Sequence, residues 1–298
     1  MTGVEVYVLE ENEKRVRRSR YFILISILGI ICVFVVLGAW VIFHSRLFSI
    51  QDINISGNER VSQEEIAAFL KSRILEEAFW KHVLGFQNIL VWPKKLTEDD
   101  LKFLPQLKSI EIEKRFRERK VNVQVKERKP FGIWCLFPQT QINADNNPLI
   151  TAETSSSDIG VNPPYDQRGS ASCWWFDEEG VLFEKALAAE GNLIPAVDDY
   201  SRDKLGLGSA VLPEDFMSNL ISIFRVLRDS GVSVKEVRLE DIGLEEIKAA
   251  TYDGPELYFS LRIPADNALT VISSLAGKAD FKNLKYIDFR VENRAYYK

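Results

Sequence analysis

The sequence predicts an α+β protein: one N-terminal transmembrane helix followed by two small domains built mainly of strands. Three observations carry that expectation. An uncharged apolar run occupies Tyr21 to Phe43. Short runs that alternate apolar and polar residues recur from Phe48 to the C-terminus, separated by turn pairs such as Gly57-Asn58 and Asp253-Gly254. Between them lie stretches with apolar residues at the three- and four-residue spacing of helices that pack on a sheet. With 298 residues the chain is long for one typical domain and suited to two small ones plus an anchor.

The apolar run would form a helix about 35 Å long, enough to cross a hydrocarbon core of about 30 Å. A buried core helix of that length would show a polar stripe, and Tyr21 to Phe43 has none. A signal peptide has an apolar stretch of about 7–15 residues before a small-x-small cleavage site. Here the run is longer and closes on Trp40, Val41, Ile42 and Phe43. Lys14, Arg15, Arg17, Arg18 and Arg20 precede it, and among the residues just after it only Arg46 is basic. That asymmetry predicts a cytoplasmic tail over residues 1–20 and an outer position for everything from about His44 onward. The acidic residues Glu5, Glu10, Glu11 and Glu13 count for little in this rule.

Composition narrows the function classes. A hydrophobic share of 46% marks a chain that folds. A net charge of -5 argues against a general nucleic-acid binder, which needs a basic face. His44, His82, Cys32, Cys135 and Cys173 show no metal-ligand spacing, so no metal is expected. There is no P-loop and no Gly-rich nucleotide motif, and no cofactor or small-molecule substrate is expected.

The first outer segment, 47–129, reads as strand, helix, helix, strand, strand. Ile50, Ile53 and Ile55 form an apolar pattern that stops at Gly57-Asn58. Ser62 and Glu65 make a capping box ahead of a helix with Ile66, Phe69 and Leu70 on its apolar face. Residues 72–85 read as helical extension or loop. Thr97 and Asp100 signal a second helix start, with Leu101 and Leu104 following and Pro105 closing it. Ile110, Ile112 and Phe116 then alternate in one strand, and Val121, Val123 and Val125 in the next. The tip between them concentrates Lys114, Arg115, Arg117, Arg119 and Lys120. A solvated hairpin tip and attraction to an anionic membrane surface are its two readings.

The second outer segment, 130–298, reads as a mixed, mainly antiparallel β domain with amphipathic helices. FGIWCLF and CWWFD are strand candidates on either side of a flexible loop over 138–172, which is too poor in large apolar residues to offset its ordering entropy. Cys135 and Cys173 sit at the loop ends of these two strands, either as a disulfide or as two small buried hydrophobes. The turn Asp177 to Gly180 leads into a further strand. Phe216, Leu220, Ile223, Phe224 and Leu227 mark a helix that stops at Gly231. Strands follow on both sides of Asp253-Gly254, then a helix over about 267–276 and the terminal run KYIDFRVE.

The order β-α-α-β-β directly after an anchor resembles the POTRA domain, a module that binds other chains. The matching points are Phe48, Ile50, Ile53, Ile55, Gly57-Asn58, Ser62 and Ile66, then NILVWP from Asn88, Leu104-Pro105 and VKERKP from Val125. With ERKP at Glu127 to Pro130, DEEGVLF and the ending YIDFR, the chain from about Lys14 to Lys298 is similar to the bacterial cell-division proteins FtsQ/DivIB. It departs from them in the long loop over 138–172, an extended 72–85 segment, and a hairpin tip without proline.

That resemblance implies a non-enzymatic divisome scaffold at the division septum. It would hold membrane division proteins of the FtsB/DivIC and FtsL type and help control septal peptidoglycan synthesis. The partner strand would dock on the C-terminal strand, where Tyr286, Asp288, Phe289, Arg290, Val291, Glu292, Tyr296 and Tyr297 are the candidate contacts. In KYIDFRVE, Ile287, Phe289 and Val291 alternate with Tyr286, Asp288, Arg290 and Glu292, as in an edge strand buried on one face. The bland reading is an edge protected by its own charges. A membrane-anchored POTRA adaptor for secretion or envelope assembly is the alternative of the same class. An extracytoplasmic enzyme is the rival class. His82 on a helix surface and the turn acids Asp177, Glu178 and Glu179, read as solvated, give it little chemistry to use.

Overall fold

The computed structural model describes residues 4–44, 48–76, 79–137, 171–189, 191 and 193–298. The loop expected over 138–172 lies outside the described residues up to position 170, and Ser172 already belongs to a strand. The chain is a mixed α+β protein with one N-terminal apolar helix and a large mixed sheet. It divides into two compact units that interleave in sequence. The first comprises Met1–Ser56, Gln63–Lys95 and Glu111–Gln124, and the second Gly57–Ser62, Leu96–Ile110 and Val125–Lys298.

Helix α1 spans Val4–His44, so residues 4–20 of the expected cytoplasmic tail are helical as well. Its stretch Tyr21–Val41 is long and apolar enough to cross a membrane, and its side chains are turned outward rather than packed in a core. In the same unit, β1 (Asp52–Ser56) runs parallel to β3 (Lys120–Glu127), from Asp52 opposite Lys120 to Ser56 opposite Gln124. Strand β2 (Leu107–Arg115) flanks β3 on its other side. Helices α2 (Gln63–Glu76) and α3 (Phe79–Leu84) lie between β1 and β2 in sequence. Helix α2 starts directly after Ser62 and buries Ile66, Phe69, Leu70 and Ile74, the face its spacing predicts. Trp92 is buried with its indole N–H donating to the Phe86 carbonyl at 2.8 Å, which satisfies its one polar atom.

Two details of this region depart from the alternation. Phe116 lies beyond the end of β2 and is 49% exposed, because the chain turns before it could join Ile110 and Ile112 inside. Ile53 is likewise exposed, and of its run only Ile55 is buried.

In the second unit, α4 (Glu98–Leu101) carries the expected capping box, with Thr97 and Asp100 each accepting from the other's backbone N–H. Gly57 has φ +88, and a side chain there would place Cβ 2.2 Å from the Val125 carbonyl oxygen, so only glycine allows this approach. The nine-stranded sheet runs β12-β11-β10-β9-β8-β7-β4-β5-β6. Its strands are β4 (Gly132–Leu136), β5 (Ser172–Phe176), β6 (Leu182–Ala186), β7 (Ala196–Asp199), β8 (Val234–Leu239), β9 (Glu246–Thr251), β10 (Glu256–Ser260), β11 (Tyr286–Asp288) and β12 (Tyr296–Tyr297). Neighbours are antiparallel except β4–β7, β7–β8 and β10–β11.

Helices α5 (Glu214–Asp229) and α6 (Asp266–Ala276) bury Leu220, Ile223, Leu227, Ile272 and Leu275 in one core with sheet residues such as Trp134, Val197, Ile247, Leu257 and Ile287. Strand β4 is buried along its whole length: Trp134 joins that core, while Ile133 and Cys135 join a smaller cluster with Phe137 and Cys173. Ile133 and Phe137 donate their N–H groups to Pro195 and Asp199 on the β7 side. Cys135 and Cys173 therefore face each other as a non-hydrogen-bonded pair, the closest cross-strand position, and are joined as a disulfide.

The motifs ERKP and DEEG meet in this unit. Arg128 pairs with Asp177 and, at 3.2 Å, with Glu179. Asp177, expected as a solvated turn residue, is buried, and it also accepts from the backbone of Glu179 and Val181. Glu127 accepts from the backbone N–H groups of Glu59, Arg60 and Val61 at 2.8–3.0 Å. Burial pushes its carboxyl up, but these donors outweigh that and hold it below the ordinary glutamate range.

Candidate functional site

The C-terminal end of the nine-stranded sheet is built from three short strands. Strand β11 pairs in parallel with β10, Tyr286 opposite Glu256 and Asp288 opposite Tyr258. It pairs antiparallel with β12, Ile287 opposite Tyr297 and Asp288 opposite Tyr296. Lys298 closes the second pairing from both sides, accepting from Lys285 N–H at 2.6 Å and donating to the Tyr286 carbonyl. Asn293 makes the reversal possible by adopting φ 57, a left-handed conformation that asparagine tolerates.

The expected edge strand is thereby corrected. KYIDFRVE is a strand only over Tyr286–Asp288 and is flanked on both sides, so the sheet edge is β12. The reason is the turn at Asn293, which folds the last residues back along β11. Ile287 is buried as its alternation predicts, and Phe289 is buried beyond the strand end, stacked on Phe259 at 5.4 Å with its N–H donating to Tyr258. Phe289 is a core residue. Val291 lies outside any strand and is exposed, contrary to the expected inward alternation.

On the opposite face Arg290 is clamped. Its guanidinium donates to Asp288 at 2.6 and 2.9 Å and to Glu246 at 2.8 Å, and lies 5.4 Å above the Tyr258 ring. The hydrogen bond to Asp288, then that to Glu246, raises its pKa, and the same bond to Arg290 holds the Asp288 carboxyl low. Tyr258 stacks on Tyr286 at 5.7 Å and donates to Glu256 at 2.8 Å; burial and then Glu256 push its phenol up to about 12. Tyr286, Asp288 and Arg290 are thus fixed by groups within the chain. Tyr296, Tyr297, Val291 and Glu292 remain open to an incoming chain.

Glu246 and Tyr258, which complete the clamp, were not among the residues expected here. Tyr258 alternates with Leu257 and Phe259, so its outward face was readable, but its neighbours were not.

Strand β12 presents a row unlike the other edge of the sheet. Tyr296 and Tyr297 are 49% and 58% exposed. Because alternate backbone groups of a strand point to opposite sides, Lys298 facing β11 turns the N–H and C=O of Tyr297 outward. An edge of this kind can accept a strand from another chain, with the tyrosine rings as rigid anchors. No protein-family model and no curated protein matches the chain.

Proposed function

We propose that the chain is a non-enzymatic scaffold of the FtsQ/DivIB type. Tyr21–Val41 anchors it in the cytoplasmic membrane with the N-terminus inside, and the outer units hold partner division proteins at the septum. Residues 47–129 act as its POTRA module, and the partner, of the FtsB/DivIC or FtsL type, adds a strand to β12. The observation that carries this reading is the open β12 edge with its two exposed tyrosines, at the end of a chain that begins with one apolar helix. The hydrogen-bonding groups of Tyr297 supply affinity there, and the tyrosine rings supply fit.

The test is capture of the FtsB/DivIC- and FtsL-type proteins by the full chain and by a form lacking Asn293 to Lys298. Loss of capture on truncation, together with midcell localisation of a fluorescent fusion, supports the reading. Undiminished capture refutes the docking edge, and diffuse membrane fluorescence refutes the divisome role and leaves the envelope-assembly adaptor. A reporter enzyme fused after Lys298 that is active only inside the cytoplasm refutes the orientation.

A further inference from the structure

The β2–β3 hairpin tip lies within short chain reach of the apolar helix. Gln51 donates its N–H to the Arg119 carbonyl at 2.8 Å, and Lys120 stands opposite Asp52 and pairs with it at 3.3 Å. His44, the last residue of α1, is seven positions before Gln51. Seven residues reach at most about 25 Å. Whatever surface the helix emerges from, the tip is tethered close to it.

The tip suits an anionic surface. Residues 113–120 hold five basic side chains, Lys114, Arg115, Arg117, Arg119 and Lys120, against two acids, Glu113 and Glu118. Both acids pair with Arg115, at 3.3 and 3.8 Å, while Arg117 is exposed and has no ion-pair partner among the described residues. Next to it the large apolar ring of Phe116 stands in solvent. Arg119 occupies a left-handed position, φ 54, that glycine would adopt without cost. At the base of the tip Lys114 donates to the Trp92 carbonyl, and burial, then Lys94, then Lys81 lower its pKa, as expected where cations crowd one another. In the second unit, by contrast, carboxylates outnumber cations.

We propose that this hairpin tip docks on the anionic phospholipid headgroups of the bilayer that Tyr21–Val41 spans, with Phe116 entering the interface beside Arg117. The proposal rests on the membrane-spanning reading of α1. Basic residues near a negatively charged leaflet are attracted over about one Debye length, and an apolar aromatic neighbour adds buried contact at the interface. Docking would orient the first outer unit relative to the membrane, which a tether alone does not do.

The test uses the full chain in lipid nanodiscs, with a fluorophore on Glu118→Cys in a Cys32→Ser background and a quencher on the lipid headgroups. Quenching is expected with phosphatidylglycerol present, and it should fall with phosphatidylcholine alone or at high salt. Arg117→Glu should lower the docked-to-free ratio about thirtyfold, since each charge near such a surface changes it about fivefold. Phe116→Ser should weaken docking with the charge unchanged, and melting curves of both variants verify the fold. Equal quenching in both lipids, or none in either, overturns the proposal. So does release by inorganic phosphate beyond that by chloride at equal ionic strength, which would mark a phosphate site instead. Retention in the discs without quenching refutes docking alone, whereas failure to be retained refutes the anchor as well.

Discussion

At one edge of the nine-stranded sheet, the first residue of β6 has its outer backbone groups met from within the chain; at the other, β12 ends in two exposed tyrosines. Leu182 of β6 donates to the Ser209 carbonyl at 3.0 Å and accepts from Gly208 at 2.6 Å, so the loop over 206–210 covers that strand's start. Further along β6, Glu184 pairs with Arg60 at 3.4 Å, and the Arg60 guanidinium lies 5.5 Å over the Phe183 ring. Coverage and charge are the usual protections of an edge against stray pairing. Strand β12 has no covering loop among the described residues, and the charge beside it is Arg294, whose guanidinium donates to the Tyr296 hydroxyl at 3.3 Å. The two edges therefore differ in backbone coverage: a loop meets the start of β6, while Tyr297 of β12 turns its N–H and C=O outward.

The coverage of β6 depends on a buried clamp, and removing it is the largest expected effect. Asp199 is fully buried, accepting from Trp134 Nε1 at 3.0 Å and from Arg202 at 2.6 and 3.0 Å. Arg202 also donates to the Val211 carbonyl at 2.9 Å, which ties the end of the covering loop to the clamp. Arg202→Ala leaves a buried carboxylate without its cation, at a cost of about 3–5 kcal/mol. The melting temperature should drop on the order of 10 °C. Hydrogen exchange at Leu182 and Gly208 should rise before that at Phe289; unchanged exchange at Leu182 would show that the loop is held by something else.

A smaller loss is expected from the disulfide, which ties β4 to β5 on the inner side of β6. It closes a sequence separation of 38 residues, and such bonds typically contribute about 2–4 kcal/mol. Replacing both Cys135 and Cys173 with alanine should lower the melting temperature less than Arg202→Ala does. The variant should then be indifferent to reductant. A native protein whose melting ignores reductant would show that the bond constrains nothing.

Much of this asymmetry was beyond sequence reading, for a physical reason. Local patterns were legible: Val121, Val123 and Val125 are all buried, the Thr97–Asp100 box forms, and the turns at Gly180 and Asp253-Gly254 fall between paired strands. Strand β7 was missed because Ala196 to Asp199 has no clear alternation and pairs in parallel with β4 and β8, both distant in sequence. At the site, the exposed tyrosines were visible. The Arg290 clamp was not, because Glu246 lies 44 positions away and only the sheet order brings it near. The turn at Asn293 likewise decides which strand is the edge, and a two-residue strand carries no periodicity from which to read it.

The smallest predicted effect concerns the open edge alone. Arg290 holds the Asp288 carboxyl below its usual value, so the folded chain binds this proton less readily than the unfolded chain. A depressed carboxylate contributes stability above its unfolded pKa of about 3.9, and loses it as pH falls through that value toward the lower folded one. Acid should therefore loosen the Asp288–Arg290–Glu246 clamp from about pH 4 downward. Arg290 is partly exposed, so the pair contributes about 0.2–1 kcal/mol, far less than the buried clamp near β6. The loosening should register in the amide NMR signals of Tyr296 and Tyr297, which are aligned by β11, and leave Leu182 unmoved. Asp288→Asn has no such proton to bind, and its Tyr296 and Tyr297 signals should lack the acid step. If the variant and the parent chain shift together below pH 4, the clamp does not govern the edge, and β12 is held by its backbone pairing with β11 alone.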